Sequence, residues 1–255
     1  MGAEMIYHYT DARGLLGILS GSELWLTDVM FLNDREELAY SAAVIREQIE
    51  KRIESLRPQI KGPMGGDPIG SQVSVLSGLL ENLDPEHLRG DSSLYAHVAC
   101  FCKDGDLLSQ WRGYSGGVGG FAIGFDPELL QPDSASWDGP VLRDVQYGLA
   151  EAKELIDGVL TSFAPHPTGH PGVNAEVQAA QALPVLARIK HPGFREEQEV
   201  RLIVASTGQP GDVQFRVGQH GVVPYRSHKF RPEAIREIVD DIFLPLVKSL
   251  RTDSE

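Results

Sequence analysis

Sulfur is scarce in this chain: its 255 residues include two cysteines, Cys100 and Cys102. Both fall in the apolar run LYAHVACFC, two positions apart, so a strand would carry their side chains on one face. Such neighbours are poorly placed for a disulfide, and two thiols alone do not complete a zinc site. They are expected to serve as small buried hydrophobes. Basic residues are in the minority, 23 Lys and Arg against 36 Asp and Glu, for a formal net charge of −13. That balance argues against a protein that coats nucleic acid, while leaving room for a local basic groove. Long apolar runs are missing too, since no stretch approaches the ~18 residues of a membrane span. The opening MGAEMIYHYT lacks a basic segment followed by an apolar one. A soluble, reducing, cytoplasmic setting without a membrane partner is the expectation. What is present is ordinary globular material, 42% hydrophobic and 23% charged, enough for a sizeable core.

The pattern along the chain predicts interspersed strands and helices. Met5–Thr10 is short, aromatic and β-branched, as a strand is, and Thr10 or Asp11 can cap the helix ARGLLGILSG that follows. ELWLTD alternates as a second strand ending at Asp28. A long helix from Asp34 to about Leu56 is marked by Leu38, Ala42, Ile45, Ile49 and Ile53, recurring at threes and fours. After the Gly- and Pro-rich RPQIKGPMGGDPIG comes a second helix, SQVSVLSGLLENL. Neither helix has strands of its own, so about 35–90 is expected to be a helical insertion within one domain spanning 1–255. LYAHVACFC, GGFAIGFD and VLRDVQYG predict strands, DPELL a short helix and AEAKELIDGVLTSF a longer one. AEVQAAQALPVLARIK predicts a further helix interrupted at Pro184. EVRLIVA, VQFRV and GVVPYR complete the sheet, and PEAIREIVDDIFLPLVKSL suits either a strand or a helix. Without a regular βαβ rhythm the class is α+β, a mixed, largely antiparallel sheet with inserted helices.

Four short stretches carry residue types suited to chemistry. In YHYT, His8 and Thr10 share one strand face and Tyr7 and Tyr9 the other, so His8 and Thr10 can hydrogen-bond sugar hydroxyls together. In FLND, Asn33 and Asp34 are explained by a turn and a helix cap. In SQWRGY, Trp111 and Tyr114 offer flat faces for a ring, and Arg112 offers a fork for phosphate. The glycines that follow allow close backbone approach but miss the dinucleotide fingerprint, and the stretch equally suits a glycine-rich turn between strands. In FREEQEVRLIV, Glu197, Glu199 and Arg201 alternate at the start of a strand and so are expected on one face.

The ordered set YHYT, LWLTD, FLND, LSQWRGY, GFAIGF, EQEVRLIV and VPY resembles the bacterial domain of unknown function 2971 family over roughly residues 5 to 227. A more distant resemblance, carried by His-x-Thr on a first strand, a middle aromatic and a late Glu on a strand, is to ADP-ribosyltransferases. That second resemblance implies an ADP-ribosyltransferase-like fold and an enzyme that consumes NAD. His8 would hold the adenosine-side ribose with support from Thr10. Trp111 or Tyr114 would stack on nicotinamide, and Arg112 would neutralise the pyrophosphate. Glu199 would be the catalytic Glu and Glu197 the upstream member of the pair. It further implies an unknown protein or nucleic-acid acceptor and the setting of a bacterial toxin or phage-defence effector, with no metal required. Two other functions remain open on the residues alone. One is a metal-dependent nuclease built on Glu197, Glu199 and Asp106; the other is a nucleotide-binding module without turnover.

Overall fold

The computed structural model describes residues 4–32, 35–62, 67–84, 94–114, 119–130, 139–162, 184–207, 212–218 and 221–240. The apolar run that holds both cysteines forms β3 (Leu94–Cys102), the middle of a nine-stranded sheet. Along one edge β3 pairs over its full length with β8 (Glu199–Thr207), from Leu94↔Thr207 to Cys102↔Glu199. Its other edge is shared by two strands. β1 (Ile6–Thr10) meets it at Tyr7↔Cys102, whereas β2 (Glu23–Asp28) meets it at Thr27↔Val98 and Asp28↔His97. Neither register reaches the stretch between Val98 and Cys102, so the sheet parts there into two wings.

The first wing runs from β1 through β4 (Phe121–Phe125) to β11 (Ile235–Asp240). The second runs from β2 through β10 (Gly221–Lys229) to β9 (Gln214–Gly218). Helix α1 (Ala12–Gly21) joins the wings. Asp11 starts it by accepting the Gly14 N–H at 2.8 Å, and Ser22 ends it in the left-handed region, φ 47. β5 (Val141–Asp144) extends the sheet beyond β8. All pairing in this sheet is antiparallel among the described residues, and the one parallel pair is β6 (Gln146–Tyr147) with β7 (Ile189–Lys190), set apart from it. The α+β expectation with a largely antiparallel sheet therefore holds.

The predicted apolar stripe of the long helix α2 (Arg35–Leu56) is buried. Ala42, Ile45, Ile49 and Ile53 pack with Leu76 and Leu79 of α3 (Pro68–Asn82), with Ile156 of a later helix (Leu149–Ser162), and with Val98 and Ile203 of the sheet. The helices of the 35–90 region thus share one core with the sheet. Each such buried Ile or Leu contributes about 1.5–3 kcal/mol relative to an exposed one. The opposite face of the sheet buries a second cluster that includes Ile6, Leu24, Leu26, Phe101, Phe125 and Leu202.

Several elements differ from what the pattern predicts. SQWRGY is not a glycine-rich turn: Leu108–Tyr114 forms helix α4, with the Leu107 carbonyl accepting N–H bonds from Gln110 and Trp111. Burial of Trp111 fixes this turn of helix, a tertiary effect that the neighbouring glycines conceal in the sequence. VLRDVQYG divides between β5 and β6, in different sheets. The stretch ending at Lys190 finishes as β7 rather than as a helix; the Arg188 and Lys190 carbonyls accept from Gln146 and Gly148. Its first part, 175–183, lies outside the described residues, as do Asn33, Asp34 and the 241–255 tail. Of the two readings of the stretch from Pro232, the strand holds where it is described: a 3₁₀ turn, Pro232–Ala234, leads into β11. Among the described residues no helix is long and apolar enough to cross a membrane.

Candidate functional site

A cavity of about 1600 Å³ lies where β1 and β2 part. β1 contributes His8 and Thr10 to its wall, β2 contributes Trp25 and Thr27, and β3 contributes Cys100. β8 and the turn before it add Glu197, Glu199 and Arg201, and α4 adds Tyr114.

His8 fills the gap in the sheet. Its Nδ1 lies 2.9 Å from the Cys100 carbonyl oxygen. Cys100 has the same parity as Val98 and Cys102, so this carbonyl faces the edge where the ladder is interrupted. A carbonyl only accepts, so Nδ1 carries the proton and Nε2 keeps its lone pair. Burial pushes the pKa of His8 down, the Cys100 contact opposes this, and the charge of Arg216 lowers it further. The ring is therefore a neutral acceptor. Thr10 follows on the same face, held against the first turn of α1 so closely that a Cβ on Gly14 would fall 1.9 Å from its Oγ1.

The acidic side of the cavity is a buried ion network. Glu199 accepts from Arg201 Nε through Oε1 at 2.6 Å and from Lys190 Nζ through Oε2 at 2.9 Å. Lys190 also reaches Glu197 at 2.6 Å and Glu37 at 3.5 Å, while Arg201 pairs with Glu37 and donates to the Ala187 carbonyl at 2.8 Å. Three carboxylates thus share two cations. Burial alone would raise the pKa of Glu199, but the charges of Arg201 and Lys190 outweigh it and hold the carboxyl below the ordinary range. Glu197 behaves oppositely: burial raises its pKa and the Lys190 contact offsets this in part. Alternation holds for Glu199 and Arg201, but Glu197 precedes the strand at the end of a 3₁₀ turn (Pro192–Glu197). Gln198 between them adopts φ 43, and the resulting bend lets both carboxylates meet Lys190.

Tyr114 stands at the rim. The residue is 41% exposed, yet burial of its phenol, with the Glu199 charge nearby, pushes its pKa up. The thiols are no nucleophiles: burial raises the pKa of both Cys100 and Cys102, and both are free.

Of the residues singled out in the sequence, His8, Thr10, Tyr114, Glu197 and Glu199 come together on this one cavity. Trp111 and Arg112 do not line it. Trp111 is 8% exposed, stands edge-on to Tyr9 with ring centroids 4.8 Å apart, and donates Nε1–H to Asp106 at 3.0 Å. Arg112 is exposed to solvent. Asp106 lies outside the lining as well, so Glu197, Glu199 and Asp106 are not gathered. Among the described residues no group of three or more His, Cys, Asp or Glu could hold a metal ion. The sequence pattern missed Lys190, hidden in an apparent helix. It also missed Arg216, whose one signal is a cation inside the apolar alternation VQFRV.

The wall therefore joins a neutral imidazole acceptor, a hydroxyl, an aromatic ring and a carboxylate pair, a set suited to a polyhydroxylated ligand with a flat ring. Comparison with curated proteins returns no match, and comparison with solved structures returns none. The resemblance to the domain of unknown function 2971 family is supported over residues 110–202, from α4 to the middle of β8, which match the family model described as protein of unknown function (DUF2971).

Proposed function

We propose that the protein is a NAD-consuming enzyme of the ADP-ribosyltransferase type, with an ADP-ribosyltransferase-like parting of the sheet as its binding cleft. The observation that carries this reading is the convergence of His8, Thr10, Tyr114, Glu197 and Glu199 on one cavity. The reaction breaks the bond between the nicotinamide nitrogen and the ribose carbon. Nicotinamide leaves with the bonding electron pair, positive charge develops on the ribose, and the acceptor's nucleophile, or water, then bonds to that carbon and releases its proton to solvent. A preorganised carboxylate stabilises that charge as it forms.

The two glutamates divide the work. Glu199, with both oxygens engaged by Arg201 and Lys190, supplies fixed negative charge and anchors the network. Glu197 meets Lys190 through Oε2 and is the more accessible of the pair, 21% against 6% exposed, so it is the carboxylate that takes a ribose hydroxyl. His8 accepts from a hydroxyl of the other ribose through Nε2, Thr10 supports it, and Tyr114 covers the nicotinamide ring.

The test is nicotinamide release from NAD by the full chain. Glu197→Gln is expected to lower the rate of the folded protein by roughly 10²–10³-fold. No release and no NAD binding would sink the proposal. A second reading, nucleotide binding without turnover, is favoured by the double engagement of Glu199, and tight NAD binding with no product would select it.

A further inference from the structure

Three cations withdrawn from bulk solvent line the cavity: Lys190, Arg201 and Arg216. The first two are ringed by carboxylates. Arg216, on β9, pairs with no carboxylate among the described residues. One terminal nitrogen donates to Thr27 Oγ1 at 2.8 Å, a neutral acceptor. Its Nε, shut off from solvent, has no hydrogen-bond partner among the described residues. A half-buried guanidinium with an idle donor is costly, and the chain has acidic residues in excess with which to quench it. Burial pushes its pKa down, though far too little to discharge a guanidinium.

The surroundings indicate what completes it. The guanidinium lies 6.0 Å from the centroid of the Trp25 ring. Trp25 is 45% exposed, and the Tyr225 ring backs it at 4.6 Å with a 32° tilt, so a supported indole stands beside a planar cation. Arg216 and His8 line the same cavity, and the charge of Arg216 lowers the His8 pKa. The carboxylates of the ion network sit on α2, on β8 and on the turn before it, and each is engaged by Lys190 or Arg201; on β2, Glu23 accepts the Trp25 Nε1–H at 3.2 Å, so it holds the indole beside Arg216 in place.

We propose that Arg216 and Trp25 form a phosphate subsite of this cavity, which takes the phosphorylated end of a nucleotide. Phosphoryl oxygens accept from Nε and the neighbouring guanidinium edge, and the base lies on the indole. Arg13, exposed on α1 at the cavity wall, is a second cation for the same group. The subsite rests on and deepens the reading of the cavity as a NAD site, because it assigns the pyrophosphate bridge that Arg112 does not reach.

The experiment is calorimetric titration of the full chain with ADP, with inorganic pyrophosphate and with adenosine. Arg216→Gln is expected to weaken ADP and pyrophosphate by roughly 10- to 100-fold and to leave adenosine unchanged. Trp25→Ala is expected to weaken adenosine and ADP but not pyrophosphate. Arg216→Lys keeps the charge without the fork and is expected to fall between wild type and Arg216→Gln for ADP. An upward move of the His8 titration in Arg216→Gln, followed by NMR, reports a folded variant in which the charge acting on His8 is gone. Equal ADP affinity in wild type and Arg216→Gln overturns the subsite, as does failure of wild type to bind ADP. ADP binding through Arg216 with no nicotinamide release leaves the subsite standing and removes the enzymatic proposal. Nicotinamide release with the same KM in Arg216→Gln does the reverse.

Discussion

Glu199 and Arg201, two residues apart on β8, are joined by two hydrogen bonds, Nε to Oε1 at 2.6 Å and Nη2 to Oε2 at 3.0 Å. Both side chains are buried, and Lys190 closes the pair from the other side. Taking these charges from water is expensive, and the low dielectric returns that cost only while every partner is present. Glu199→Gln therefore leaves two buried cations short of a carboxylate and is expected to cost about 3–5 kcal/mol. The check is the urea midpoint at constant m-value. Combining it with Arg201→Met should restore part of the loss, since the double variant no longer strands the guanidinium. A strictly additive pair would show that the two side chains do not interact.

Acid sensitivity should have a histidine component. His97 on β3 is 1% exposed, and neither ring nitrogen has a hydrogen-bond partner among the described residues. Burial pushes its pKa from 6.5 to about 4; Arg226 lowers it as well, and Asp212 opposes this. Between those two values the unfolded chain takes up a proton that the folded chain refuses. Stability is then complete above the unfolded pKa and is lost as pH falls toward the folded one, by on the order of 2–3 kcal/mol. Urea unfolding at about pH 7 and about pH 5 should show His97→Leu losing less stability than wild type. Some slope persists in the variant, because burial lowers the pKa of His8 and His228 too. Equal losses in the two proteins would rule out His97 as the source.

How far the sequence could be read is shown by two neighbouring cases. The stripe Ala42, Ile45, Ile49, Ile53 and the alternation of YHYT are local periodicities, and the structure buries or directs them as the period requires. Lys190 and Arg216 carry no such mark. Each matters because a strand pairing far along the chain brings it to the cavity: β6 pairing β7 for Lys190, and β9 following β10 onto β2 for Arg216. SQWRGY failed for a related reason. Its helix depends on Trp111 finding Tyr9, about a hundred positions earlier, and propensity does not contain that contact.

Gly14 offers a way to disturb Thr10 without deleting it. A methyl group there would overlap Thr10 Oγ1 at 1.9 Å but would sit 3.2 Å from its Cβ. Rotation of the hydroxyl relieves the clash without moving backbone, and alanine is favoured over glycine in a helix by about 0.5–1 kcal/mol. Gly14→Ala should thus keep its stability within about 1 kcal/mol of wild type. The displaced hydroxyl should weaken NAD binding about as much as Thr10→Val does, roughly 5- to 10-fold. Wild-type affinity in Gly14→Ala would place the Thr10 hydroxyl outside the ligand's reach.

The two aromatics of α4 should part company under substitution. Trp111 is an internal strut: its ring packs on Tyr9 and its N–H is spent on Asp106, so Trp111→Ala should cost about 3–5 kcal/mol. In Trp111→Phe part of the packing survives, and the folded fraction is expected to bind NAD as wild type does, because this ring does not line the cavity. Tyr114, one helical turn later, has the opposite assignment. Its ring is at the rim and supports little of the core, so Tyr114→Ala should cost less than about 1 kcal/mol. Its loss removes the flat face beside the carboxylate pair, and NAD affinity should fall roughly 10-fold, with Tyr114→Phe retaining most of it. Thermal melts and NAD titrations on the same four variants decide the matter. If Tyr114→Ala binds NAD normally, the ring does not cover nicotinamide, and the aromatic wall of the cavity has to be sought on β2, at Trp25.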